Sequence, residues 1–157
     1  APDLAFCGVD YEVSPLRTTC GIYENGVSGR KSGQGGIDLL LSNDGIPVVG
    51  EIKAKTDVDM FTALVQALVY AVELSSSSQR NRLIHAYPKF RKTGLKIFLI
   101  YEEAGDDKDN RLRISTKDIA VDLLKDSECK DFITQIALIK CKRGDDGEPH
   151  FDLDCQA

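Results

Sequence analysis

The sequence has no apolar run that could cross a membrane and no Cys-x-x-Cys pair. No stretch of its 157 residues approaches the roughly 18 uncharged apolar residues that a membrane-spanning helix needs. Residues 1–4 show neither the basic part nor the long apolar part of a secretory signal. The five cysteines lack the spacing of zinc ligands, so we expect reduced thiols in a cytoplasmic or nuclear protein that is not secreted.

Several catalytic signatures are also absent. The sequence has no G-x-x-x-x-G-K-[ST] phosphate-binding loop, no H-E-x-x-H zinc motif, no dinucleotide-binding glycine pattern and no nucleophile elbow. The local motifs of several large enzyme classes are therefore missing. If the protein is an enzyme, its catalytic residues do not form one of these local motifs.

Acidic residues are missing from one long segment, Ser75 to Tyr101, which instead holds six cations. Without this segment the rest of the chain has a net charge of −11, against −5 for the whole. Phosphate contacts are local, so a segregated basic segment can bind nucleic acid in an acidic chain. The candidate nucleic-acid-binding residues are Arg30 and Lys31, in a glycine-rich loop, and Arg80, Arg82, Lys89, Arg91 and Lys92.

Two aromatic residues, Tyr87 and Phe90, alternate with these cations. An aromatic ring in a basic segment can stack on an unpaired base. The same rings can equally belong to the core beneath a solvated loop, and both interpretations stay open.

The length and the 42% apolar content fit one domain, 1–157, with an α/β fold. The patterns predict a mixed β-sheet flanked by helices, with its core in 20–101 and helix and strand additions in 112–157. The predicted strands are 20–24, 37–42, 47–54, 95–101 and 151–155, with 133–142 as a strand or a helix. The predicted helices are 10–16, one from a cap at Thr56 or Asp57 to about Leu74, and 115–125 with an extension over 128–132; loops cover 25–36 and 102–110.

A hairpin turn signal at Asn43-Asp44-Gly45 joins two of these strands. A two-residue loop pairs Asn43 with Ile46, and the same register places Asp38 opposite Glu51, with Lys53 on the same face. These charges could lie on a solvated face. The flanking residues are apolar on both faces, however, which favours burial, and two facing carboxylates then need a partner such as Mg²⁺.

The segment Gly36-Ile37-Asp38, followed after twelve residues by Glu51-Ile52-Lys53, resembles the PD-(D/E)xK nuclease superfamily. Gln66 and Tyr70, on the next predicted helix, match the Q-x-x-x-Y element of its exonuclease-like branch. The resemblance covers residues 36–70. The chain departs from the family pattern at Ile37, where the family has proline.

The resemblance implies a restriction-endonuclease-like fold and Mg²⁺-dependent hydrolysis of phosphodiester bonds in DNA, with Mn²⁺ as a substitute. It implies Asp38 and Glu51 as metal ligands and Lys53 as the catalytic lysine. Gln66 and Tyr70 would complete the catalytic set, and Glu12 or Glu24 would be a further ligand. RNA as a substrate, a homodimer and a longer parent chain stay open.

Two rival interpretations belong to other classes. One is a non-catalytic nucleic-acid- or protein-binding module that retains the nuclease fold, which would bind metal without turnover. The other is an ordinary α/β domain with a chance motif, which would show no metal affinity at Asp38 and Glu51.

The helix after the hairpin carries a polar stripe at helical spacing. The stripe consists of Asp59, Thr62, Gln66, Tyr70 and Glu73. It could face solvent or line the hairpin site. The remaining large apolar residues are expected in the core: Val58, Phe61, Leu64, Val65, Leu68 and Val72.

Overall fold

A six-stranded mixed sheet forms the centre of the fold. The computed structural model describes residues 6–13, 36–54, 59–102, 107–144 and 147–157. Its strands follow chain order across the sheet: β1 Cys7–Val13, β2 Ile37–Asn43, β3 Ile46–Lys53, β4 Leu95–Glu102, β5 Ile133–Arg143 and β6 Pro149–Gln156. β3, β4 and β5 are parallel, and the other neighbours are antiparallel. The α/β class with a mixed sheet is confirmed.

In the described ranges, four helices accompany the sheet: α1 Met60–Ser75, α2 Ser77–Ala86, α3 Asp107–Lys125 and α4 Ser127–Lys130. α1 packs on β3 and β4, and α3 packs on β5 and on α1. The larger apolar cluster lies between these helices and the sheet and includes Val49, Leu99 and Leu138. We call this side of the sheet the helix face.

The opposite face of the sheet carries a second apolar cluster, built from Val48, Phe98, Ile139 and their neighbours, with Phe6 packed against it. The ring of Phe6 meets that of Phe98 edge to face, with 5.8 Å between the centroids. We call this side the open face. β4 is buried on both faces, which explains its nearly continuous apolar sequence.

The helix predicted over 10–16 is wrong over residues 10–13, because the chain forms β1 there; residues 14–16 lie outside the described residues. Val9 and Val13 pack against the helix-face core, and Tyr11 pairs with Leu39 of β2. β-Branched and aromatic residues favour strands, but the decisive pairing comes from residues far along the chain. The strand predicted over 20–24 and residues 25–35 of the predicted loop lie outside the described residues.

The serine run 75–78 ends one helix and begins another. Ser76 terminates α1 and caps α2, its hydroxyl accepting from the Gln79 amide. α2 was not predicted, because it presents only one buried apolar side chain, Leu83. Asp59 caps α1, while Thr56 and Asp57, the predicted caps, lie outside the described residues.

The C-terminal part is more regular than predicted. α3 begins at Asp107, so the predicted helix start at Ser115 is wrong. The loop predicted over 102–110 is wrong at residue 102, which ends β4, and over 107–110, and its residues 103–106 lie outside the described residues. Segment 133–142 is the strand β5, and the final strand is longer than predicted. Among the described residues the four cysteines, Cys7, Cys129, Cys141 and Cys155, are free thiols.

No single helix in the described ranges is long and apolar enough to span a membrane. α1 and α2 meet the length and composition criteria only when taken together, and they are bent by 94° where they join.

Candidate metal and catalytic site

The β2–β3 hairpin has the predicted register. Asn43 pairs with Ile46, and the ladder continues to Leu39 and Gly50. Asp44 and Gly45 have φ of 50° and 80°, as a two-residue hairpin turn with both central residues left-handed requires. The next pair of the same register after Leu39 and Gly50 is Asp38 and Glu51, so the hairpin brings these two residues together.

The carboxylate of Asp38 is fixed at the open end of this hairpin. The backbone amide of Ile52 donates to Asp38 Oδ2 at 2.8 Å. This contact holds the Asp38 carboxylate across the strand at the level of Glu51. The carboxyl of Glu51 in turn hydrogen bonds to the side chain and the backbone of Asp38.

Glu51 is a buried acid with an unsatisfied oxygen. Its side chain is 2% exposed, and within the described structure Oε1 has no hydrogen-bond partner. Burial raises the pKa of the Glu51 carboxyl to about 8; the Asp38 carboxylate adds to the rise, and Lys53 opposes it. Buried polar atoms are nearly always partnered, so this oxygen marks a place where a cation would fit.

Lys53 is held beside the carboxylates by α1. Its Nζ donates to Gln66 Oε1 at 3.1 Å. The ammonium has three donors, so the amide oxygen orients it. The structure therefore brings together Asp38, Glu51, Lys53 and Gln66, as predicted. Tyr70 lies one turn further along α1, half-buried against the helix-face core.

The orientation of α1 places this polar edge at the site. Asp59 caps the helix, with Oδ1 accepting from the amides of Phe61 and Thr62 at 3.1 Å each. Small residues on the buried side, Ala63, Ala67 and Ala71 among them, bring the helix close to the sheet. Gln66 and Tyr70 lie at the margin of this buried side, next to the strand that carries Lys53.

Part of the predicted core on α1 is wrong. Phe61, Val65 and Val72 are 45%, 42% and 60% exposed, because the alanine side faces the sheet instead. Leu64 is buried and Leu68 is partly buried, as expected, and Val58 lies outside the described residues.

The predicted third metal ligand is not settled by side-chain geometry. Residue 12 lies in β1, and the pairing of Tyr11 with Leu39 and Val13 with Ile37 sets it opposite Asp38. The Glu12 side chain lies outside what the structure describes, and so does all of Glu24. No group of three or more acidic, histidine or cysteine side chains that could hold a metal occurs among the described residues.

The part of the basic segment around residues 89–92 lies at the other end of the hairpin. The backbone amides of Arg91 and Lys92 donate to the carbonyl of Gly45 at 3.0 and 3.2 Å, and Lys92 forms an ion pair with Asp44. Glu51 is six positions beyond Gly45 along the chain, roughly 20 Å at the rise of a strand. The structure therefore does not bring Lys89, Arg91 and Lys92 to the carboxylates.

Other members of the basic segment are partly engaged in the fold. Arg80 Nη2 donates to the carbonyl of Ser75 at 3.1 Å, while Arg82 is exposed on α2. Phe90 is 1% exposed, so it belongs to the core and not to a base-stacking surface. Tyr87 donates its hydroxyl to Asp10 Oδ2 at 2.6 Å, and burial raises its pKa to about 12. Arg30 and Lys31 lie outside the described residues.

A polar network beside Lys53 was not predicted. Tyr101 is the register partner of Lys53 on β4, and its buried hydroxyl accepts from Arg113 Nη1 at 2.9 Å. Arg113 also pairs with Asp154 at 3.0 Å, which ties α3 to β6 at this edge of the sheet. These residues carry no shared local pattern, so only the fold reveals them.

Comparison with protein-family models, with curated proteins and with solved structures found no match for this chain. The functional argument therefore depends on the residues described above.

Proposed function

We propose that this protein is a divalent-metal-dependent nuclease that hydrolyses phosphodiester bonds in DNA and has a restriction-endonuclease-like fold. One observation carries the proposal. Glu51 is buried opposite a second carboxylate, with an oxygen that no described donor satisfies. A buried acid pair that is only partly compensated costs stability, and a metal site is a functional reason to keep it.

The donor set suits Mg²⁺, with Mn²⁺ as a substitute. Asp38 and Glu51 offer carboxylate oxygens, and Mg²⁺ is typically held by one or two carboxylates together with waters. When bound, the ion would polarise a phosphate oxygen and lower the pKa of a bound water. Glu12 is favoured over Glu24 as a further ligand, because the β1 register sets residue 12 opposite Asp38.

The other residues have roles that follow from their contacts. The Lys53 ammonium, oriented by the Gln66 amide, would stabilise negative charge that develops on the phosphate. Tyr70, on the next turn of α1, would line the same site. The order of hairpin, helix and following parallel strand also agrees with the resemblance of residues 36–70 to PD-(D/E)xK nucleases.

The experiment is a cleavage assay on fluorescent single-stranded, duplex and branched DNA, with Mg²⁺, Mn²⁺ or EDTA. Asp38→Ala and Lys53→Ala are compared with Lys92→Ala, which removes the lysine that pairs with Asp44 at the far end of the hairpin. We expect metal-dependent cleavage that is lost in the first two variants and kept in the third. An RNA strand of the same sequence tests the choice of nucleic acid.

Two outcomes would contradict the proposal. Mg²⁺ binding that Asp38→Ala abolishes, with no cleavage of any substrate, would favour the non-catalytic binding module. Cleavage that persists unchanged in folded Lys53→Ala would remove the assigned role of this lysine.

A further inference from the structure

The open face of the sheet has a groove at the same edge as Lys53. Its volume is about 420 Å³. Its floor is apolar and includes Leu39, Ile52, Ile100, Cys141 and Phe151.

The groove and the carboxylate pair lie on opposite faces of one strand end. Ile52, which follows Glu51, donates its amide to Asp38 and presents its side chain to the groove. Lys53 lines the groove and also contacts Gln66 on the helix face. A nucleic-acid strand that passes from the carboxylates over the end of β3 would therefore enter the groove.

The groove combines an exposed aromatic ring with a cationic rim. Phe151, on β6, is 42% exposed, and Ile52, on the β3 side of the groove, is 44% exposed. Among the described residues of the lining the cations are Lys53, Lys142 and Arg143 and the acid is Glu102; Lys142 also forms an ion pair with Asp152 at 2.9 Å. A flat apolar body joined to a negative charge is complementary to such a surface, and a nucleotide has this composition.

We propose that this groove binds an unpaired base of the strand that the nuclease cuts, with the adjoining phosphate near Arg143. A base within a duplex is stacked on its neighbours, so only an unpaired base offers its face to Phe151. The groove thus selects single-stranded or frayed ends. This inference rests on the proposed function, because the location of the groove matters only if the site acts on nucleic acid.

The test measures binding without cleavage. Fluorescence anisotropy in EDTA compares a labelled single-stranded oligonucleotide with its blunt duplex. The variant is Phe151→Ala, and the matched control is Tyr11→Ala, which removes an aromatic residue that is 72% exposed on β1 and does not line the groove. We expect Phe151→Ala to weaken single-strand binding about 5- to 100-fold, the range for loss of one stacked base, and to leave duplex binding unchanged.

Further variants separate stacking from folding and from charge. The ring of Phe151 also packs edge to face on Phe6, so thermal melts check each variant. Phe151→Trp should retain binding, and Phe151→Leu, which keeps apolar bulk, should lose most of it. Arg143→Gln should reduce the slope of log affinity against log salt by about one.

The outcomes distinguish this inference from the proposed function. Equal binding of single strand and duplex, or equal effects of Phe151→Ala and Tyr11→Ala, would overturn the base site even if the wild type cuts DNA. Selective loss in Phe151→Ala without cleavage in any metal would support the base site and contradict the nuclease. Tight binding of a neutral apolar peptide in place of the oligonucleotide would also overturn the base site.

Discussion

At the turn end of the β2–β3 hairpin, Asp44 forms an ion pair with Lys92, and Asn43 Oδ1 accepts from Lys96 Nζ at 2.6 Å. At the open end, Asp38 and Glu51 face each other, and Glu51 retains a buried oxygen without a donor among the described residues. The same short hairpin therefore has an acid neutralised by a lysine at one end and two acids set against each other at the other end.

The pKa values of the two ends move in opposite directions. The hydrogen bond and charge of Lys92 hold the pKa of Asp44 below its usual value. Burial and Asp38 raise that of Glu51 to about 8. The turn end has the arrangement that stability alone favours, and the open end has one that costs stability. Such local costs cluster at functional sites, which is why we assign the function to the open end.

The largest expected contrast is between the two lysines of the hairpin ends. Lys53→Ala should lower the rate of metal-dependent cleavage about 10²- to 10³-fold, the effect of losing one electrostatic group in an active site. Lys92→Ala should change the rate less than about threefold. Single-turnover cleavage rates test this contrast, with circular dichroism as the folding control. A similar loss of cleavage rate in both variants would contradict the specific role of Lys53.

The next contrast concerns stability in the absence of metal. At pH 8, Glu51→Gln should raise the free energy of unfolding by about 1–3 kcal/mol, since a neutral amide avoids the burial of charge beside Asp38. Asp44→Asn should give a slight decrease, because the exposed ion pair that it removes contributes little. Urea denaturation in EDTA provides both values, and destabilisation by Glu51→Gln would contradict the assignment of strain to Glu51.

The same contrast has a pH dependence with a definite sign. The folded protein keeps the Glu51 proton up to about pH 8, whereas the unfolded chain loses it near pH 4.5. The folded state binds more protons between these values, so the stabilising contribution is full below about pH 4.5 and is lost as the pH rises towards 8. Subtracting the Glu51→Gln profile from the wild-type profile isolates this loss, and a flat difference would show that the Glu51 pKa is not raised.

A smaller effect is expected at Gln66, which acts through Lys53. Gln66→Ala should reduce the cleavage rate about 3- to 10-fold, because it removes an orienting contact and leaves the ammonium in place. Thr62→Ala, on the preceding turn of the same helix, is the control for helix stability. If Gln66→Ala is inactive as Lys53→Ala is, then Gln66 contacts the substrate directly; if it resembles Thr62→Ala, the Lys53–Gln66 contact has no role in the reaction.

The hairpin could be predicted from the sequence because local chemistry determines it. Asp44 and Gly45 set a two-residue turn, the turn sets the register, and the register brings Asp38 to Glu51. The position of Gln66 beside Lys53 is one of the two alternatives that the polar stripe of the helix left open in the sequence. These features depend on few residues, which lie close together in the sequence.

The remaining features depend on long-range packing. β1 is a strand because it pairs with β2. The large apolar residues of α1 did not identify its buried side, because alanines allow the closer approach to the sheet. The cations of the basic segment were predicted to bind nucleic acid. The contact of Arg91 and Lys92 with Gly45 places these two residues at the far end of the hairpin from the carboxylates.

The central claim is that Asp38 and Glu51 together hold a divalent cation. Isothermal titration calorimetry with Mg²⁺ at pH 8 tests it directly on wild-type protein, Asp38→Asn, Glu51→Gln and the matched control Asp44→Asn. The account predicts saturable binding to the wild type and to Asp44→Asn, and none to the other two folded variants. Unchanged Mg²⁺ affinity in Glu51→Gln, or no binding to the wild type, would contradict it.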